Sequence, residues 1–181
     1  MFKEKSKFSF GFFFGTQLIF SHQVMNLFQA NKKDLEEIMG IIKDAQELLA
    51  NQNIDQWQNG YPNTAIVLKD IRNNQSYVVK SERGDVTATA MFSTKNEPTY
   101  SKIKGNWICP EQAKYGVIHR IAVAKNFRGK GIAKFIFSEC EKILLNKQIP
   151  SMRIDTHEGN FGMQNLLKTM GYSYCGVIYL E

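Results

Sequence analysis

The chain has 181 residues, of which 43% are hydrophobic and 22% charged, with a formal net charge of +6. That is the composition of one ordinary globular domain able to bury its own core. The positive balance suits an anionic ligand, but it is mild and dispersed, with no Lys/Arg block and no basic-aromatic interleaving, which argues against nucleic acid as a partner.

The first 24 residues, "MFKEKSKFSFGFFFGTQLIFSHQV", begin basic and continue with an apolar run from Phe8 to Phe20. The run imitates a signal peptide but is too short to span a membrane as a helix, and Ser21, His22 and Gln23 offer no small-x-small cleavage site. We expect residues 1–24 to be an apolar and basic extension outside the fold, upstream of a more natural start at Met25. The alternative is a targeting or membrane-surface segment.

Residues 24–30 read as a short strand. Asn31 with Asp34 three residues later approaches a capping box, and Leu35, Ile38, Met39, Ile42, Ala45 and Leu49 follow at helical spacing, so a helix is expected over 31–51. The stretch 51–63, "NQNIDQWQNGYPN", is a loop punctuated by Gly60 and Pro62. A short helix is expected over 63–72. The β-rich runs 75–81 and 85–93, joined by "ERGD", predict an antiparallel hairpin. The long polar segment 94–114 reads as a loop with one helical turn around Tyr100–Ile103, and such loops are often functional.

From residue 115 the pattern is strand, helix, strand, helix, strand. The helix over 131–146 has Ile132, Phe135 or Ile136, Cys140, Ile143 and Leu144 on its apolar face. After a strand at 151–156, a helix over 160–170 turns Met163, Leu166, Leu167 and Met170 inward, with Gly171 at its C-cap. The expectation is a single α/β domain over 25–181, with a mixed central sheet flanked by helices: antiparallel early, and a parallel strand pair around the 131–146 helix.

Cys109, Cys140 and Cys175 are odd in number and form no C-x-x-C pair, and the chain has only three histidines. That argues against a disulfide framework and a zinc site, so no metal is expected. It favours a reducing, cytoplasmic compartment.

The stretch Asn126–Phe135, "NFRGKGIAKF", puts two glycines and two cations where a helix begins, against local propensity. A helix N-terminus presents unpaired amides, and glycines ahead of it let a phosphate approach the backbone. The amides of Arg128, Gly129, Lys130, Gly131, Ile132 and Ala133 therefore read as an anion cradle. The P-loop pattern is absent. A dinucleotide fingerprint is matched at Gly129 and Gly131, but Lys134 stands where its third glycine belongs.

The run "VIHRIAVAKNFRGKGIAKFIFSEC" resembles the coenzyme A motif of the GNAT N-acetyltransferase superfamily, [RQ]-x-x-G-x-[GA] after a strand, with Arg128, Gly131 and Ala133 in the motif positions. The resemblance extends in element order over roughly 25–180 and implies the GNAT-like acyl-CoA N-acyltransferase fold. It implies acetyl-CoA as cofactor, a backbone pairing of the pantetheine with the strand carrying Ile121 and Val123, the pyrophosphate on the amides of 128–133, and Asn160 at the opposite lip. The implied reaction is direct attack of a primary amine, of a small molecule or of a protein, on the thioester. The family often carries a tyrosine as proton donor four residues before the glycine that ends the last helix, where this chain has Leu167. The usual C-terminal hairpin also lacks its last strand. An exposed strand edge, and with it a possible homodimer, is therefore expected.

For the base, "RIDTHEGN" (153–160) is the richest spot, with Asp155 and His157 at the C-terminal end of a strand. His119 and Arg120 are ambiguous between sheet and site. Trp57, Tyr61 and Tyr100 lie in the poorly patterned segments to which acceptor recognition would fall. Two other functional classes compete: a coenzyme-A-binding module of the same fold without catalysis, and a dinucleotide-binding oxidoreductase.

Overall fold

The computed structural model describes residues 5–13, 25–110 and 112–180. It is a mixed α/β structure, mostly antiparallel, with flanking helices. By internal contact the chain divides into two compact units. One comprises residues 17–92 and 119–140, the other 1–16, 93–118 and 141–181.

The first unit starts with β2 (Leu27–Gln29). Asn31 then forms the expected capping box: its side chain accepts from the Lys33 amide, and the Asp34 carboxylate accepts from the Asn31 amide, both at 2.9 Å. A 3-10 turn, Lys32–Asp34, leads into α1 (Leu35–Asn51), which buries Ile38, Ile41, Ile42 and Leu49. Each such side chain is worth about 1.5–3 kcal/mol of apolar burial. Asn63 caps α2 (Thr64–Arg72) through the Ile66 amide. β3 (Ser76–Lys80) and β4 (Val86–Ser93) form the expected antiparallel hairpin, with Val78 opposite Thr89. The strand order here is β2-β3-β4-β6, where β6 (Tyr115–Val123) runs through both units.

In the second unit the order is β6-β7-β1-β8-β5. The parallel pair predicted around the 131–146 helix, now α3 (Ile132–Asn146), is β6 and β7 (Ser151–His157). It pairs from Tyr115↔Ser151 to Val117↔Arg153. α4 (Phe161–Thr169) precedes β8 (Ser173–Leu180). Gln164 takes a buried position on α4 that the helical pattern gave to its apolar neighbours. Its amide reaches the carbonyls of Glu158 (2.6 Å) and His157 (3.4 Å) instead.

Two expectations are corrected here. Residues Lys5–Phe13, read as lying outside the fold, form β1, a strand antiparallel to both β7 and β8. The alternation Phe8-Ser9-Phe10-Gly11-Phe12 is a strand period hidden inside the apolar run. The flanking segments 1–4 and 14–24, with the signal-like reading of the run to Phe20, lie outside the described residues. The second correction concerns the exposed C-terminal edge. β8 has β1 on one side and, on the other, β5 (Ile103–Gly105), a strand inside the segment read as a loop. The edge that prompted the homodimer expectation is thus paired over Gly176–Ile178.

Candidate active site

In the first unit, β6 ends at Val123, and the Ala124 amide donates to the Thr87 carbonyl at 2.9 Å. A 3-10 turn, Lys125–Phe127, follows, closed by the Phe127 amide on the Ala124 carbonyl at 2.8 Å. Arg128 is extended, and its Nε donates back to the Val123 carbonyl at 3.1 Å. The guanidinium therefore braces the turn. Its Nη2 is buried with no hydrogen-bond partner among the described residues. The Lys130 ammonium lies 5.0 Å from the Phe127 ring centroid.

Gly129 and Gly131 have φ of +76° and +78°. An L-residue in that left-handed conformation costs about 1–2 kcal/mol. A Cβ at either position would meet nothing within 4 Å, so the backbone conformation, and not crowding, favours glycine. The first bond of α3 runs from the Phe135 amide to the Gly131 carbonyl. The amides of the first turn, from Ile132 on, thus lie at a helix N-terminus with no carbonyl to take them. Gly129, Lys130 and Gly131 are exposed. Free amides at a helix start beside exposed glycines suit an anionic group by geometry and by the field of the helix end.

On β6, Ile121 and Val123 are half-buried, and Arg120 between them and His119 has φ +51°. A left-handed arginine inside a strand is a strained residue, worth about 1–3 kcal/mol held by its surroundings. Its Nη2 and Nε lie 2.7 and 3.0 Å from Asp70 Oδ2, and its Nη1 donates to the Tyr61 hydroxyl at 2.8 Å. Asp70 is buried on α2; burial raises its pKa while Arg120 opposes the rise, with His119 also in its field. Trp57 is half-buried against the α1/α2 core at φ +63°, whereas Tyr61 is 39% exposed. Asp70 and the role of Arg120 escaped the sequence reading. The signal was there: a carboxylate between Val67 and Ile71 on the buried stripe of a helix needs a partner.

The second unit holds the other candidates. Tyr100, expected in an acceptor loop, is 2% exposed and is corrected to a core residue. It stacks near Trp107 and Tyr115, with centroids 5.2 and 6.2 Å away, and its hydroxyl donates to Asp155 Oδ1 at 2.6 Å. Burial and then the Asp155 charge push its pKa well above the ordinary tyrosine value. The Arg153 guanidinium lies over the Trp107 and Tyr115 rings, 4.4 and 4.0 Å from their centroids. His157 Nδ1 accepts from the Gly159 amide at 3.0 Å, which leaves the ring proton on Nε2. Asn160 is the N-cap of α4, its side chain accepting from the Met163 amide at 3.0 Å. Leu167, at the position of the family's tyrosine, is fully buried.

The architecture is a mixed, mostly antiparallel α/β fold in which a glycine turn opens a helix after a strand. The acetyltransferase (GNAT) family model matches residues 42–172, and the chain belongs to that family. A GNAT-family acetyltransferase of Streptococcus agalactiae is 30% identical, with a TM-score of 0.76 over 87% of this chain and 95% of that one. One from Listeria monocytogenes is 17% identical, with a TM-score of 0.69 over 86% and 92%. A structure of AAC(6')-Iy in complex with the bisubstrate analog CoA-S-monomethyl-acetylneamine is 22% identical, with a TM-score of 0.60 over 84% and 92%. The last two share the fold. A search of curated proteins found no match. Among the described residues no helix is long and apolar enough to cross a membrane.

Proposed function

We propose that the protein transfers an acetyl group from acetyl-CoA to a primary amine. The observation that carries this reading is the turn at Arg128–Gly131: two left-handed glycines ahead of unpaired helix amides. The amides of Gly129 to Ala133 hold the pyrophosphate, and the backbone of Ile121 and Val123 faces the pantetheine. Arg128 stiffens the turn through the Val123 carbonyl and adds positive charge behind it. Acetyl-CoA supplies a thioester whose carbonyl carbon accepts the amine and whose thiolate leaves.

Amine deprotonation is assigned to solvent. Asp155 and His157 are already engaged by the Tyr100 hydroxyl and the Gly159 amide, which makes them builders of the end of β7. Asn160 is likewise assigned to capping α4. The acceptor is met by the 52–63 loop, where Trp57 and Tyr61 stand. Its chemical identity beyond a primary amine, on a small molecule or a peptide, is the object of the test. That test is thiol release from acetyl-CoA across a panel of amines, with calorimetric titration of acetyl-CoA, coenzyme A and NAD. Thiol release with at least one amine supports the reading; tight NAD binding without acetyl-CoA binding overturns it.

A second reading is favoured by Leu167, an apolar, fully buried side chain where the family often has its acid. It is a coenzyme-A-binding domain without turnover. Acetyl-CoA binding with no thiol release across the panel would establish it.

A further inference from the structure

We propose that Arg120 is a positioning residue that sets the shape of the 52–63 loop through the Tyr61 hydroxyl, with Asp70 as its buried anchor. The inference rests on the reading of that loop as the acceptor's binding surface. Three independent observations converge on it. Arg120 is strained inside a strand, at φ +51°, and Trp57 is strained inside the loop, at φ +63°. Bulky residues keep such conformations only where their surroundings over-determine them, and these cluster at functional sites.

The guanidinium is also spent in a specific way. Two of its nitrogens are fixed on the Asp70 carboxylate, and the third reaches the Tyr61 hydroxyl. A planar fork makes this three-way link; a lysine ammonium can neutralise Asp70 but cannot span both groups. The chain of contacts therefore runs from a buried carboxylate on α2, through a strained strand residue, to a half-exposed loop tyrosine. The far side of the loop is tied as well: Gln46 Nε2 donates to the carbonyls of Tyr61 (2.9 Å) and Pro62 (3.3 Å), and Gln58 Nε2 to that of Gln46 (3.1 Å). The tie to Arg120 fixes the Tyr61 side chain while its ring stays 39% exposed.

The experiment uses Tyr61→Phe, Arg120→Lys and the double variant, all in the full chain. Tyr61→Phe removes one hydroxyl, and Arg120→Lys leaves Asp70 paired, so folded protein is obtained for both. Amide hydrogen exchange over residues 53–61 and steady-state kinetics are measured together. Expected are faster exchange in the loop, an acceptor KM raised about five- to tenfold, and kcat and the acetyl-CoA KM within about twofold. The double variant is expected to be no worse than either single one, since all three break the same link. Unchanged exchange over 53–61 in both variants overturns the proposal whatever the kinetics, and so does a uniform loss in both substrates. Faster loop exchange in a protein that turns over no amine supports the positioning role and overturns the acetyl-transfer reading.

Discussion

The turn at Arg128–Gly131 and the end of β7 are both rich in polar groups, and they treat them in opposite ways. At the turn the glycines are exposed, and among the described residues the amides at the start of α3 have no carbonyl to bind and Arg128 Nη2 is buried without a partner. At the end of β7 the two groups favoured for chemistry and the one favoured for the cofactor are engaged: Asp155 by Tyr100, His157 by Gly159, Asn160 by Met163. Polar groups left unsatisfied by the protein are the ones a ligand can satisfy, because leaving them dry costs a hydrogen bond's worth of free energy. Groups already satisfied are scaffold until something displaces their partners.

The largest effect that can break this contrast is expected at the cradle. Gly131→Val places a β-branched side chain at φ +78° where a phosphate would approach. Calorimetry should show acetyl-CoA affinity falling about 100-fold, roughly 2.7 kcal/mol. Thermal unfolding should show only the backbone strain, about 1–2 kcal/mol. Equal losses in both would mean that the turn is merely structural.

At the end of β7 the expected loss is in stability. Tyr100→Phe removes the donor to Asp155, and denaturant unfolding should register about 1.5–3 kcal/mol. Acetyl-CoA affinity should stay within about twofold of the parent; a larger change would join the two regions functionally.

His157→Ala sharpens the contrast through catalysis. Loss of a general base costs about 10²- to 10⁴-fold in rate. As a scaffold residue, His157 should cost less than about tenfold in kcat and leave the pH profile of kcat/KM unmoved. A large loss with a displaced acidic limb would return the histidine to the chemistry.

The smallest effect concerns another satisfied carboxylate. Glu141 accepts from the Tyr172 hydroxyl at 2.7 Å, and burial raises its pKa above 4.5 while that bond opposes the rise. Its contribution to stability is present below the unfolded value and is lost as pH rises through the raised folded one. Glu141→Gln escapes that loss, so its stability advantage over the parent should widen from about pH 4 towards pH 7. A gap that narrows with rising pH would show that the Tyr172 bond outweighs burial.

The sequence by itself determined most of the element order and marked the glycine turn ahead of α3. Helical spacing in α1, the Asn31–Asp34 cap and the alternation in β3 and β4 are local patterns, and local patterns can be read without a partner. The turn was legible for a related reason: glycines and cations at a helix start violate local propensity within a few residues. Tertiary structure decided what depends on distant neighbours. β1 could be placed only once β7 and β8 were seen to leave a slot between them. Tyr100 and Asp155 are 55 residues apart and Asp70 and Arg120 are 50 apart, so nothing in either segment announces that one spends the other's hydrogen bonds. Whether a polar residue is a reagent or a brace depends on who else is within 3 Å, and the order of residues along a chain does not carry that information.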